Sequence, residues 1–177
     1  MSGYPDLQPT LTGELVSLRP LVASDGDALY AVAADPLIWE QHPSFDRYQE
    51  PVFRAFVADA LASGGAFIVH DRVTGEAIGS SRYFGWDADR SEIEIGWSFL
   101  ARSHWGGRYN GEMKRLMLDH AFTFATSAVF LIGPENMRSR RAVERLGALQ
   151  IADRINSLGR ASVVYQITAH RYRSHTP

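Results

Sequence analysis

The chain reads as a mixed α/β domain on three observations. Segments that alternate apolar and polar residues are interleaved with segments whose apolar residues recur every three or four positions. Strand-like segments at 66–84 and 91–100 are broken and joined by the turn signals "TGE" and "WDADR", which makes them antiparallel neighbours. The remaining order, helix, strand, helix, strands, sets helices against a sheet.

Each element has a local cause. Residues 1–10 carry no periodicity and read as a flexible arm. "ELVSLRPL" alternates Leu15, Ser17 and Arg19 with Val16 and Leu18, a first strand. Ser24 and Asp25 offer an N-cap to "DALYAVAA", and Asp35-Pro36 ends that helix because a residue before proline disfavours helical angles. In "PVFRAFVADALASGG", Phe53, Phe56, Val57, Ala60 and Leu61 form one helical face that stops at Gly64-Gly65. "AFIVHDRVTGEAIGSSRYF" and "SEIEIGWSFL" supply three strands. A helix over 110–126 lines up Met113, Leu116, Met117, Ala121 and Phe124. "AVFLIG" is a short buried strand, "NMRSRRAVERLG" a further helix and "ASVVYQIT" a last strand. The domain is therefore expected over 11–170, with 171–177 as a C-terminal tail.

Composition narrows the chemistry. The 177 residues are 45% hydrophobic and 21% charged, enough for one domain with a substantial core. A net charge of −2 with both signs interspersed argues against nucleic acid and anionic membrane as partners. With no cysteine there is no disulfide, thiolate metal site or covalent cysteine intermediate. The six histidines, among them His42, His70, His104 and His120, show no ligand spacing, so no metal is expected. The amino terminus lacks the basic and apolar regions of a leader, and no apolar run reaches about 18 residues. The expectation is a cytoplasmic protein.

The stretch "ARSHWGGRYNGEMKRLMLDHAF" holds the most chemistry. A strand gives way to Gly106-Gly107, and a helix is expected to begin near Tyr109 or Asn110. The first amides of a helix lack internal partners and its dipole is positive there, so a phosphate or pyrophosphate can be held; a tight turn is the alternative. Neither "GxxxxGK[ST]" nor an early "GxGxxG" is present, which sets aside the two common nucleotide-binding loops.

"EIEIGWSFLARSHWGGRYNGEMKRLMLDHAF", "IGPENMRSRRAVERLGA" and "LTGELVSLRPLVASDGDAL" together resemble the GNAT superfamily of acyl-CoA-dependent N-acyltransferases, in particular its ribosomal-protein-acetyltransferase branch of the RimJ/RimL type. The likeness covers roughly residues 11 to 168. It implies a GNAT-like twisted mixed sheet of six or seven strands flanked by helices, whose fourth and fifth strands splay to admit the pantetheine arm. It also implies acetyl-CoA as donor, an amine acceptor (a protein N-terminus or a small molecule), and a homodimer as the assembly to test.

By resemblance, the family's pyrophosphate loop falls on Trp105, Gly106, Gly107, Arg108, Tyr109, Asn110 and Gly111. Trp105 stands where the family has Gln or Arg, and Arg108 where it has its central glycine. The Trp-Gly before this loop and the Glu after it, typical of the branch, are met by Trp105, Gly106 and Glu112. Asn136 would reach the pantetheine or thioester end of the donor, although a helix N-cap also explains it. Ser139 would lie near the sulfur, and one of Arg138, Arg140, Arg141 and Arg145 would meet the 3′-phosphate. A strand amide in the region Trp97, Ser98 and Phe99 would polarise the carbonyl.

The chemistry asked of the remaining residues follows from N-acylation. The ammonium must lose a proton, and the leaving thiolate benefits from an acid. With no cysteine, direct attack in a ternary complex is favoured. Glu92 and Glu94 share one face of their strand, opposite Ile93, Ile95 and Trp97. Glu94 is the candidate base, though two carboxylates on an exposed strand face are also ordinary. Beyond the second motif the one acid is Asp153. Ser139 is the candidate acid, with Tyr165 behind it. The aromatic and polar segment "DPLIWEQHPSFDRYQEP", with Trp39, Glu40 and His42, is expected to form the acceptor wall, joined by Arg82, Tyr83 and Glu92. A non-catalytic acyl-CoA-binding regulatory module on the same fold is the alternative.

Overall fold

The computed structural model describes residues 3–155 and 159–175. Parts of the expected arm (1–2), domain (156–158) and tail (176–177) lie outside them. One sheet of eight strands runs β1 (Leu11–Thr12), β2 (Val16–Pro20), β3 (Ala66–Asp71), β4 (Ala77–Asp87), β5 (Glu92–Leu100), β6 (Ser127–Ile132), β8 (Ala161–Thr168), β7 (Leu149–Ile155) in space. Neighbours are antiparallel except β5 and β6. Helices α1 (Gly26–Ala33), α2 (Glu50–Ser63), α3 (Arg108–Ala121), α4 (Met137–Arg145) and α5 (Ala169–His175) complete the fold.

Strand alternation divides the core between the two faces of this sheet. On β3, Phe67 and Val69 join α3, α4 and α5 in one cluster, whereas Ala66 and Ile68 join α1 and α2 in the other. The α3 stripe Met113, Met117, Leu118 and Ala121 is fully covered. Such side chains contribute roughly 1.5–3 kcal/mol each for a large apolar group. The α2 stripe Phe53, Phe56, Val57 and Ala60 is buried against the opposite face, and Gly64 ends that helix at φ 67° as the sequence suggests.

Several expectations change. The sheet has eight strands instead of six or seven, because two-residue β1 pairs Leu11 with Leu18 and Thr12 with Ser17 ahead of the first expected strand. β7, exposed along its length, is an edge strand without apolar alternation to announce it. The arm lies against the core: Leu7 is buried, and the Gln8 amide donates to the Ala66 carbonyl at 2.9 Å. Residues 171–175 continue α5, with Tyr172 buried. α3 starts at Arg108 and ends at Ala121, earlier at both ends than expected, so Phe124 packs on Trp86 and Tyr83 from a turn. Asp25 leaves α1 without a side-chain cap, since its carboxylate pairs with Arg19 at 2.7 Å and accepts from the Val22 amide.

Two irregularities shape the gap in the sheet. β5 and β6 pair only from Glu92 to Glu94, and beyond that point they part. These are the splayed strands, one number higher than the family's because β1 precedes them. On its other edge β5 slips by one residue against β4 between Gly96 and Phe99, with Trp97 at φ 52°. This bulge puts Trp97 and Ser98 opposite one residue of β4. It reverses the expected placement of Trp97, which packs on Phe84 at 5.3 Å and against the α1–α2 cluster, away from Ile93 and Ile95.

Candidate active site

A cavity of about 550 Å³ opens where β5 leaves β6, between the N-terminal ends of α3 and α4. β5 contributes Ser98, Phe99 and Leu100 to its lining. The following loop contributes Trp105, Gly106 and Gly107, α3 contributes Asn110, and α4 brings Asn136, Ser139 and Arg145. Trp39 and His42 close it from the segment between α1 and α2. Eight of the residues assigned to the donor thus meet in one place, although they come from separate stretches of chain.

The glycines have a conformational cause. Gly106 and Gly107 sit at φ 110° and 98°, angles that cost an L-residue about 1–2 kcal/mol. A Cβ on Gly106 would meet nothing within 4 Å, so the space beside it is open. α3 begins without a side-chain cap, leaving its first amides directed at that space. Among the described residues no carboxylate lines the cavity, and Arg138 and Arg145, seven positions apart on α4, face it together. The guanidinium of Arg138 lies 3.8 Å over the Trp105 ring, and the Trp105 indole donates to the Leu100 carbonyl at 3.0 Å. Open glycine backbone, free helix amides and two guanidinium groups suit a polyphosphate. The other arginines of α4 face elsewhere: Arg140 donates to the Tyr165 hydroxyl and the Pro134 carbonyl, and Arg141 is exposed.

The profile of the Acetyltransferase (GNAT) domain family matches residues 16–149. The chain belongs to the GNAT acetyltransferase family. An N-acetyltransferase called p20 from Bacillus licheniformis, of uncharacterized function, is 29% identical over 119 residues, 64% of this chain. That alignment spans 66% of p20, just short of two thirds of its length. The crystal structure of an acetyltransferase from Agrobacterium tumefaciens superposes with TM-score 0.70 at 27% identity, covering 90% of this chain and 94% of that one. RimJ of Mycobacterium smegmatis, solved with CoA-disulfide, gives TM-score 0.74 at 21% identity over 94% of this chain and 90% of its own. RimJ thus shares the GNAT fold with this chain.

Around this GNAT cavity the individual candidates separate. Asn136 caps α4, its side-chain oxygen accepting from the Ser139 amide at 3.3 Å, while also lining the cavity. Tyr165 does not line it; its hydroxyl donates to Glu144 at 2.6 Å beneath α4. Arg108 is exposed and Tyr109 turns away to His104 and Asp71, because the first residues of α3 fan around the helix axis. Gly111 lies one turn inside α3, its amide bonded to the Gly107 carbonyl.

On the other face of the sheet, Glu94 is half-buried, and burial raises its carboxyl to about 7 against the lowering effect of Arg154 and Arg82. Glu92 accepts from Ser127 at 2.9 Å and Gln166 at 2.7 Å, which ties β5 to β6 and β8. Arg82 is 2% exposed, paired with Asp59 at 2.7 Å and stacked 4.5 Å over Trp97. Tyr83 corrects the expected wall: adjacent strand residues point to opposite faces, so it is buried under α3 with its hydroxyl donating to the Met117 carbonyl. Trp39 is buried 5.1 Å from Phe99, and its indole donates to the Ala33 carbonyl. His42 beside it accepts from the Ser44 amide, and burial with the charges of Arg47 and Arg160 pushes its pKa down to about 3, so it is neutral. Glu40 faces outward to Arg138 at 3.4 Å.

The sequence reading passed over Lys114, which is 5% exposed within the buried stripe of α3. A lysine one position after Met113 and three before Met117, inside an otherwise apolar helical face, was the signal. Among the described residues, no three His, Asp or Glu side chains converge as a metal ion would require.

Proposed function

We propose that this protein is an acetyl-CoA-dependent N-acetyltransferase that delivers the acetyl group to a primary amine, a protein N-terminal α-amine or a small-molecule amine, by direct attack. The observation that carries it is the convergence of uncapped α3, open Gly106-Gly107 and capped α4 on the gap between β5 and β6. In this reading the α3 amides with Arg138 and Arg145 hold the donor's phosphates, and Asn136 steadies the pantetheine arm. The bulge at Trp97 and Ser98 presents backbone to the thioester carbonyl. Glu94, with a carboxyl that titrates near neutral pH, takes the proton of the incoming ammonium directly or through water. Ser139 at the cavity is the hydroxyl nearest the role of acid, since Tyr165 is committed to Glu144. Trp39, His42 and Arg82 flank the acceptor side, with Glu92 farther along the strand.

The test is thermal unfolding with acetyl-CoA. A native-state ligand at a hundredfold excess over its Kd stabilises by about 2.7 kcal/mol, a shift of several degrees. A saturable rise in Tm followed by acetylation of members of an amine panel is the expected result. No rise at millimolar donor overturns the reading.

A further inference from the structure

We infer that Lys114 is a positioning residue of the transfer step: a buried cation set behind Ser98, where it holds the negative charge that the coenzyme A sulfur acquires as the acetyl group leaves. The inference rests on the donor reading above.

The geometry is that of a charge placed under a gap. The Lys114 ammonium donates to the Ser98 hydroxyl on β5 and lies 3.5 Å from the Ser81 hydroxyl on β4. The Ser81 and Ser98 hydroxyls are themselves 2.7 Å apart. Across the gap, the ammonium sits 5.7 Å from the ring centre of Phe130 on β6. It therefore spans the floor where β5 and β6 have parted, and Ser98 is the group that joins it to the cavity. On its own helix it is buried along with Met113, Met117 and Leu118.

Among the described residues, nothing neutralises this cation. From β4, β5 and β6 it is faced by Ser81, Ser98 and Phe130, none of them charged, and no acidic side chain lines the cavity beyond Ser98. Burying an ammonium without a counter-ion is unfavourable, and a methionine would fill the same space without that cost. Burial alone lowers the Lys114 ammonium to about 7. An anion arriving beyond Ser98 restores its proton and supplies the missing partner. N-acyl transfer generates such an anion once per turnover. The amine nitrogen bonds to the acetyl carbon, the carbon–sulfur bond breaks, and its electron pair stays on sulfur. The proton lost by the amine leaves through the base or water, and the thiolate later takes one from solvent by way of the Ser139 hydroxyl. Lys114 changes neither bond count; it lowers the energy of the charged sulfur through the Ser98 hydroxyl.

The experiment follows the thiol of bound coenzyme A by the ultraviolet absorbance of its thiolate, in difference spectra against pH, for the wild type, Lys114→Met and Ser98→Ala. Affinity for desulfo-coenzyme A serves as the control. In the wild type the bound thiol should titrate at least about one pH unit below free coenzyme A, a tenfold gain in thiolate. Lys114→Met should return it to the free value while retaining desulfo-coenzyme A affinity, and lower kcat about tenfold with donor KM little changed. Ser98→Ala should fall between. A Lys114→Met titration equal to wild type overturns the inference and leaves the donor reading standing. If Lys114→Met does not bind the control ligand, an unchanged titration in Ser98→Ala overturns it. A wild type that binds neither coenzyme overturns the donor reading and this inference with it.

Discussion

At the scale of single residues, the proposed function divides the work between Glu94, for the proton, and Asn136, for the donor. The Glu94 carboxyl, raised to about 7 by burial, is a carboxylate only above that pH, so kcat/KM should fall roughly tenfold per unit as pH drops below 7. Glu94→Gln should remove that limb and lower turnover at least about a hundredfold, with donor affinity unchanged. A pH–rate profile of the two proteins checks both statements. The sign for stability is opposite. A raised acid pKa contributes stability that is full below the unfolded value near 4.3 and lost as pH rises through about 7. The glutamine variant should therefore gain Tm relative to wild type as pH climbs across that window. Asn136→Ala should weaken coenzyme A binding more than Glu94→Gln does, because it removes a cavity-lining side chain and the α4 cap, the cap alone being about 1 kcal/mol. Equal donor affinities in the two variants, measured by calorimetry, would reverse these roles.

At the scale of elements, α3 is the piece that everything else uses. Its N-terminal end faces the cavity, its stripe fills one core, and Glu112 bolts it to the sheet edge. The Glu112 carboxylate accepts from the Glu14, Leu15 and Val16 amides at 2.9, 2.7 and 2.7 Å, so a residue read from sequence as a family mark is the anchor of the β1–β2 turn. Glu112→Ala strips three backbone donors of a charged acceptor and should destabilise the fold by about 2–4 kcal/mol, measured by urea unfolding. The bulge in β5 is the second element-level device. It turns Trp97 to one face and Ser98 to the other, so acceptor-side aromatics and the Lys114 network meet the same peptide group from opposite sides.

At the scale of the whole molecule, the sheet separates two kinds of environment. In the proposed reading the acceptor side gathers cations and aromatics, with partly buried Arg47 stacked 4.7 Å over Phe56 and buried Arg82 over Trp97. The donor side has the glycine cradle and the cavity-facing arginines of α4. With a net charge of −2, the proposed reading assigns attraction for a polyanion to local groups, Arg138, Arg145 and the α3 amides. Because the Debye length shrinks from about 10 Å at 0.1 M to about 3 Å at 1 M salt, coenzyme A affinity should fall severalfold across that range. Isothermal titration at the two salt concentrations measures it. Within the described residues no helix is long and apolar enough to cross a membrane.

Periodicity and turn chemistry determined much of the architecture, since a helical stripe such as Phe53, Phe56, Val57 and Ala60 or a short apolar run such as Ala66 to Val69 is a local property of the chain. Resemblance of "WGGRYNGE" and "NMRS" to family motifs pointed to Gly106, Gly107, Asn110, Asn136 and Ser139, and the fold brings all five to one cavity. Strand order and the gap between β5 and β6 came from pairings between segments far apart in sequence, which carry no local signature, and the eighth strand came from a two-residue pairing too short for any periodicity. Tertiary structure alone turned Trp97 over, because a one-residue bulge breaks the period-two rule that the sequence reading relies on. It alone sent Tyr83 under α3 and Tyr165 to Glu144. It alone buried Lys114 against Ser98, since a hydroxyl 16 residues away becomes a neighbour only when the helix is laid on the sheet.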